Sequence, residues 1–140
     1  MSDNDKPQNF YVNKDKTGWS ISNTGDSEFG PRLNFKRSIV KSIKLSKKIT
    51  SNIQLLKIDI EGFETQVIKE CFKKLNNVGE IYIEYHRYMN KKQNNIYSLI
   101  NLLRKSKFNI NIDGIAINSN KKVKFEVNSK KHLMIIRARR

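Results

Sequence analysis

Four residues near the middle of the chain have the types and spacing for acid–base or cation chemistry. Asp59 and Glu61 lie in LLKIDIEGFE, residues 55–64, and Glu84 and His86 lie in EIYIEYH, residues 80–86. Each segment is a short apolar run that ends in carboxylates. A buried strand normally excludes charge, because an unpaired carboxylate in apolar surroundings costs several kcal/mol or takes up a proton. Here the charges come where the runs end, as at the C-terminal edge of an open parallel sheet, where ligands bind. Side chains alternate along a strand, so Leu56, Ile58 and Ile60 share one face, opposite Lys57, Asp59 and Glu61. In the second run Ile81, Ile83 and Tyr85 oppose Tyr82, Glu84 and His86. Two adjacent parallel strands bring Asp59, Glu61, Glu84 and His86 to one edge, with Asp59 and Glu84 together.

Two chemistries suit that convergence. Carboxylate oxygens at such spacing suit a hard cation such as Mg²⁺, with Asp59 and Glu84 as its ligands. Crowded carboxylates also raise one another's pKa and poise an acid or a base, and His86 exchanges a proton near neutral pH. The competing reading makes all four half-exposed strand-end charges paired with Lys57 and Arg87, and the residues alone divide evenly between the two. Gly62 tips the balance toward a site, because glycine allows a tight strand-to-helix turn. Tyr82, Tyr85 and Tyr88 read as packing and rim aromatics. Cys71, the one cysteine, falls at an apolar helical position and reads as a small core residue.

The elements that must position these residues follow from periodicity. FYVN and WSIS are strand-like pieces split by Lys16-Thr17-Gly18, a hairpin turn. SIVKSIKL, from Ser38, predicts a strand with one wet face. After the strand at 55–60, Phe63, Val67, Ile68, Cys71, Phe72 and Leu75 recur at helical spacing until Asn76-Asn77-Val78-Gly79. Strand, helix and the next strand at 81–85 together have the size of a βαβ unit. A second helix is predicted over about 93–106, then strands at 108–113 and 132–138 that pair antiparallel. Val123, Phe125 and Val127 make one short apolar alternation between them. The order is β, α, β, α, β, β, an α/β fold.

Composition narrows the function classes. The chain of 140 residues is one domain's worth, 37% hydrophobic and 29% charged. No run approaches the length of a membrane span, and MSDNDKPQNF has no signal-peptide pattern, which predicts a cytoplasmic protein. The net charge of +15 gathers at 36–48 and 121–140. Lysine far outnumbers arginine, as an A+T-rich genome produces, whereas readers of nucleic acid lean on arginine forks and exposed aromatics. This favours a solvated basic surface over a nucleic-acid partner. No G-x-G-x-x-G, P-loop, zinc-spaced Cys/His set or G-x-S-x-G elbow is present.

The two segments together resemble the second half of the FkbM-type methyltransferase domain, with its K-[IV]-D-[IV]-E-G-x-E stretch and, one helix later, I-x-[IV]-E-x-H. Lys57, Asp59, Glu61, Gly62 and Glu64 match the first, and Glu84 and His86 the second. The resemblance implies a class I, Rossmann-like fold: a mostly parallel seven-stranded sheet ending in an antiparallel hairpin. It also implies methyl transfer from S-adenosylmethionine to an oxygen of a small-molecule or glycan acceptor. The family's glycine loop and following acidic residue, which grip the cofactor, have no counterpart here. Residues 10–140 are therefore expected to form the C-terminal half of such a domain, truncated or split, behind a disordered N-terminus at 1–9. The isolated chain is then expected to bind the cofactor weakly or not at all, and a homo-oligomer or a partner chain to complete the sheet. The alternatives are a basic α/β nucleic-acid-binding module and an inactive methyltransferase remnant.

Overall fold

The computed structural model describes residues 5–13, 20–21, 35–87, 93–117 and 132–140. The first alternating runs form strands β1 (Gln8–Asn13), β2 (Ser20–Ile21) and β3 (Phe35–Val40). They pair antiparallel in the order β2–β1–β3, with Tyr11 opposite Ile21 and Gln8 opposite Val40. The predicted turn at Lys16-Thr17-Gly18 lies outside the described residues. The start of the chain differs from the sequence reading. β1 begins at Gln8, and Asp5 before it accepts from the Lys44 N–H and pairs with Lys47 Nζ at 2.7 Å. The Ser42 hydroxyl donates to the Lys6 carbonyl at 2.6 Å, so residues 5–9 are tied down rather than frayed.

The SIVKSIKL run also divides. β3 stops at Val40, where its pairing with β1 runs out. Leu45 instead opens a 3₁₀ turn, Leu45–Lys47, that places it and Ile49 in the main core. Ile39, apolar and in phase, is 71% exposed.

The main layer begins with β4 (Ile53–Ile58), helix α1 (Glu64–Glu70), a 3₁₀ stretch at Phe72–Asn77, and β5 (Val78–His86). β4 and β5 are adjacent and parallel, with Leu56 opposite Ile81 and Ile58 opposite Ile83. The predicted single helix is thus an α-helix followed by a tighter turn, with Val67, Ile68, Cys71 and Leu75 still buried. Helix α2 (Ile96–Lys105) starts where the Asn95 side chain accepts from the Ser98 N–H at 3.0 Å, an ordinary N-cap.

Strands β6 (Asn109–Ile112), β7 (Ile115–Ile117) and β8 (Leu133–Arg139) follow. β6 and β8 pair antiparallel as predicted. β7 was not anticipated; it folds back on β6 through a turn whose Asp113 and Gly114 have φ of 49° and 89°. Tyr88 and the alternation at Val123, Phe125 and Val127 fall outside the described residues.

The five strands run in the order β4–β5–β8–β6–β7. β8 is antiparallel to both β5 and β6, so β4, β5 and β6 all point the same way. α1 and α2 pack with one face of this sheet, where Ile81, Ile83, Met134, Ile136, Leu99 and Leu103 form one buried cluster. The other face carries Lys57, Glu80, Tyr82, Arg137 and Arg139, and part of it forms a broad concavity of about 890 Å³. The architecture is mixed α/β, as predicted. Among the described residues no helix is long and apolar enough to cross a membrane.

Candidate active site

Because β4 and β5 are parallel, their C-terminal ends share one edge, and the chemistry-bearing residues gather there. β4 ends at Ile58, and the chain turns through Glu61 (φ 51°) and Gly62 (φ 92°) into α1. Left-handed backbone is ordinary for glycine but costs another residue about 1–2 kcal/mol. Glu61 holds it at the point where the chain leaves the sheet edge.

His86, the last residue of β5, is the centre of the cluster. Its Nε2 lies 3.4 Å from Glu61 Oε2 and 4.0 Å from Asp59 Oδ1. Its Nδ1 lies 2.9 Å from Glu64 Oε1. Glu64, in the first turn of α1, is 0% exposed. A carboxylate can leave water when donors fill its oxygens. Here the Gly62 N–H donates to Oε1 at 3.0 Å, and Asn94 Nδ2 donates to Oε2 at 2.6 Å. Asn94 Nδ2 also reaches the His86 carbonyl at 3.1 Å, while Asn94 Oδ1 accepts from the Thr65 N–H and hydroxyl at 3.2 and 2.9 Å. Burial works against an imidazolium at His86. The Glu64 hydrogen bond and the fields of Glu61, Glu64 and Asp59 outweigh it, so the pKa of His86 is raised above its ordinary value.

Glu84 stands beside this cluster rather than in it. Lys57 Nζ is 2.9 Å from Glu84 Oε1 and 3.8 Å from Asp59 Oδ2. The hydrogen bond to Glu84 raises the lysine's pKa. An ammonium therefore sits against both carboxylates that the sequence suggested as a Mg²⁺ pair and supplies the positive charge there. The donors that do converge are those of Asp59, Glu61 and His86, all within 4.8 Å of one another. An imidazole in the set departs from the oxygen ligands Mg²⁺ prefers, and we assign no step to a metal.

Tyr82, Tyr85 and the thiol fall as the sequence suggests. Tyr85 is buried and donates to the Asn94 carbonyl at 2.9 Å; burial, then the charge of Glu64, raises its pKa. Tyr82 lies on the open face, 5.6 Å beneath the Arg137 guanidinium. Burial, aided by Glu70, pushes the Cys71 thiol up to about 12, which makes it inert. Glu64 and Asn94 are the site residues that chemistry by type missed. Glu64 reads as an acid favouring a helix N-terminus, and Asn94 as one more asparagine in a polar stretch. Their roles need α1 and α2 docked over the end of β5.

A cleft of about 160 Å³ lies beside Asp59, lined by Leu45, Lys57, Ile58, Ile60 and Val67. Pockets that enclose an organic ligand run to about 300–1,000 Å³. The described lining of this cleft is thus smaller than a nucleoside-sized molecule needs.

The description "Methyltransferase FkbM domain" belongs to the family that matches this chain, over residues 1–110, a span that includes both strand-end segments, Glu64 and Asn94. Neither a curated protein nor a solved structure gives a significant match. With 110 of its 140 residues inside that span, the chain belongs to the FkbM methyltransferase domain family.

Proposed function

We propose that the chain serves in methyl transfer from S-adenosylmethionine to an oxygen of a small-molecule or glycan acceptor, and that the edge built from Asp59, Glu61 and His86 handles the acceptor hydroxyl. The single observation that carries this is the placement, in a chain of this family, of an imidazole at the end of parallel strands with its inner nitrogen engaged by a buried carboxylate. S-adenosylmethionine, when bound, supplies the methyl group. The cleft beside Asp59 is small, about 160 Å³, so the steps assigned to this chain concern only the acceptor's proton. His86 Nε2 accepts that proton, and Glu61 and Asp59 stabilise the imidazolium that forms. Glu84, held by Lys57, borders the same edge.

Three parallel strands with an antiparallel strand inserted among them support a Rossmann-like reading of the fold. Among the described strands, β4 ends the order. A second copy or a partner chain added along it would extend the sheet toward a larger cofactor pocket.

The test is acceptor-dependent release of S-adenosylhomocysteine from S-adenosylmethionine, with sugars and small alcohols as acceptors. We expect turnover to fall by about 10²-fold or more in His86→Gln. Release that needs no acceptor, or that survives His86→Gln intact, overturns the proposal. We expect this chain alone to bind the cofactor more weakly than micromolar, which corresponds to about −8 kcal/mol. Calorimetry showing tighter binding would reveal a pocket beyond the described residues.

A further inference from the structure

We infer that Glu64 is a positioning residue that holds His86 in its Nδ1–H form, so that the Nε2 lone pair faces the gap between Glu61 and Asp59. The inference rests on the methyl-transfer reading only for what Nε2 then does; the proton's location follows from the hydrogen bonds alone.

The deduction starts from a group that has no choice. The Thr65 backbone N–H can only donate, and it points at the Asn94 side chain at 3.2 Å. The atom it meets must be the amide oxygen, so the amide nitrogen of Asn94 is the atom facing Glu64 Oε2 at 2.6 Å. That nitrogen also meets the His86 carbonyl, which can only accept, at 3.1 Å. The orientation of Asn94 is therefore fixed at both ends. Glu64 Oε2 is committed to Asn94, and Oε1 takes a second obligatory donor, the Gly62 N–H at 3.0 Å. An ionised carboxylate has only acceptors to offer, so His86 Nδ1, 2.9 Å from Oε1, must carry the hydrogen. Which imidazole nitrogen is protonated is set by the bond the other one makes. In the neutral ring, that leaves Nε2 bare on the side of Glu61 and Asp59.

The arrangement has a clear counterfactual. Without Glu64, the nearest carboxylate to the ring is Glu61, 3.4 Å from Nε2. It would draw the hydrogen to Nε2 and leave the outward nitrogen unable to take a proton from a substrate. Glu64 and Glu61 thus pull the same proton toward opposite nitrogens, and the shorter, buried contact decides.

The test is the ring nitrogen signature of His86 by NMR on the full chain labelled with ¹⁵N-histidine. It is recorded above the pH at which the imidazolium loses its proton. The chain has two histidines, and His132→Gln assigns them. We expect Nδ1–H as the dominant neutral form in the wild type. In Glu64→Ala both acceptor oxygens are gone, Glu61 is the carboxylate left nearest the ring, and the Nδ1–H share should drop to a minority. A wild-type spectrum dominated by Nε2–H overturns the inference without any variant. So does an Nδ1–H share that is unchanged in a folded Glu64→Ala chain. No cofactor or acceptor enters the measurement, so a chain with the expected signature and no methyl transfer would defeat the functional proposal and leave this one standing.

Discussion

The helix-covered face and the open face of the five-stranded sheet are made from alternate residues of the same strands, yet they are held by different forces. On β5, Ile81, Ile83 and Tyr85 are at most 1% exposed and join the apolar cluster. At the alternate positions Glu80, Tyr82 and Glu84 are partly exposed and meet Arg139, Arg137 and Lys57. His86 sits where the two regimes meet, with one ring nitrogen against a buried carboxylate and the other toward the accessible edge. The covered face supplies rigidity through area removed from water. The open face supplies charge at little cost in stability, because its groups stay wet. Substituting residues one position apart separates the two contributions.

The largest effect is expected inside. Ile83→Ala, at a 0% exposed position, should destabilise the chain by about 3–4 kcal/mol in a denaturant titration. Glu84→Ala, its neighbour, should cost less than about 1 kcal/mol. Equal losses would mean that the faces are not divided as described. Gly62→Ala addresses the turn that joins the strand to its covering helix. At φ 92° a side chain is strained, and we expect a loss of about 1–2 kcal/mol. An unchanged unfolding midpoint would refute that turn geometry.

Smaller still is the pH effect of His86. Its folded pKa is raised above the unfolded value of about 6.5. The stabilisation is therefore fully present below pH of about 6.5 and is lost as pH rises through the folded pKa. Stability measured across that window should decline with pH in the wild type and lose this component in His86→Gln. A slope of opposite sign would mean that desolvation outweighs the three carboxylates. The smallest effect belongs to the Arg139–Glu80 pair, whose arginine side chain is 73% exposed. Arg139→Ala should cost less than about 1 kcal/mol, and added salt should shrink the difference.

The unit from β4 to β5 could be read in advance because its periodicity switches cleanly. Leu56 and Ile58 alternate with charged residues, Val67, Ile68, Cys71 and Leu75 recur at helical spacing, and alternation returns at Ile81. The convergence of Asp59, Glu61 and His86 followed from parallel pairing alone. Three things did not follow. Ile39 and Leu45 sit in one apolar run, but β1 captures the first half and the main core captures Leu45, a choice made by tertiary partners. β7 is a three-residue strand, too short for alternation to register, and only Gly114 hinted at its turn. Glu84 was grouped with Asp59 because both end their strands. Lys57, also in that pattern, reaches across and satisfies both.

The position of β8 has a consequence for how the chain acquires its shape. This strand lies between β5 and β6, and Arg139 reaches back to Glu80 across 59 residues of sequence. During synthesis β4, α1 and β5 can associate as soon as they emerge, since their contacts are local. β6 and β7 can form their hairpin soon after. The two pieces have no strand pairing in common until residues 133–139 arrive to bridge them. Until then β5 and β6 each present an unpaired edge to the cell, and the nascent chain is most vulnerable to the wrong strand pairing in that interval. The bridging segment is rich in Ile and Arg, apolar toward the helices and charged toward solvent. The alternation that separates the two faces also leaves this late strand a single orientation in which to insert.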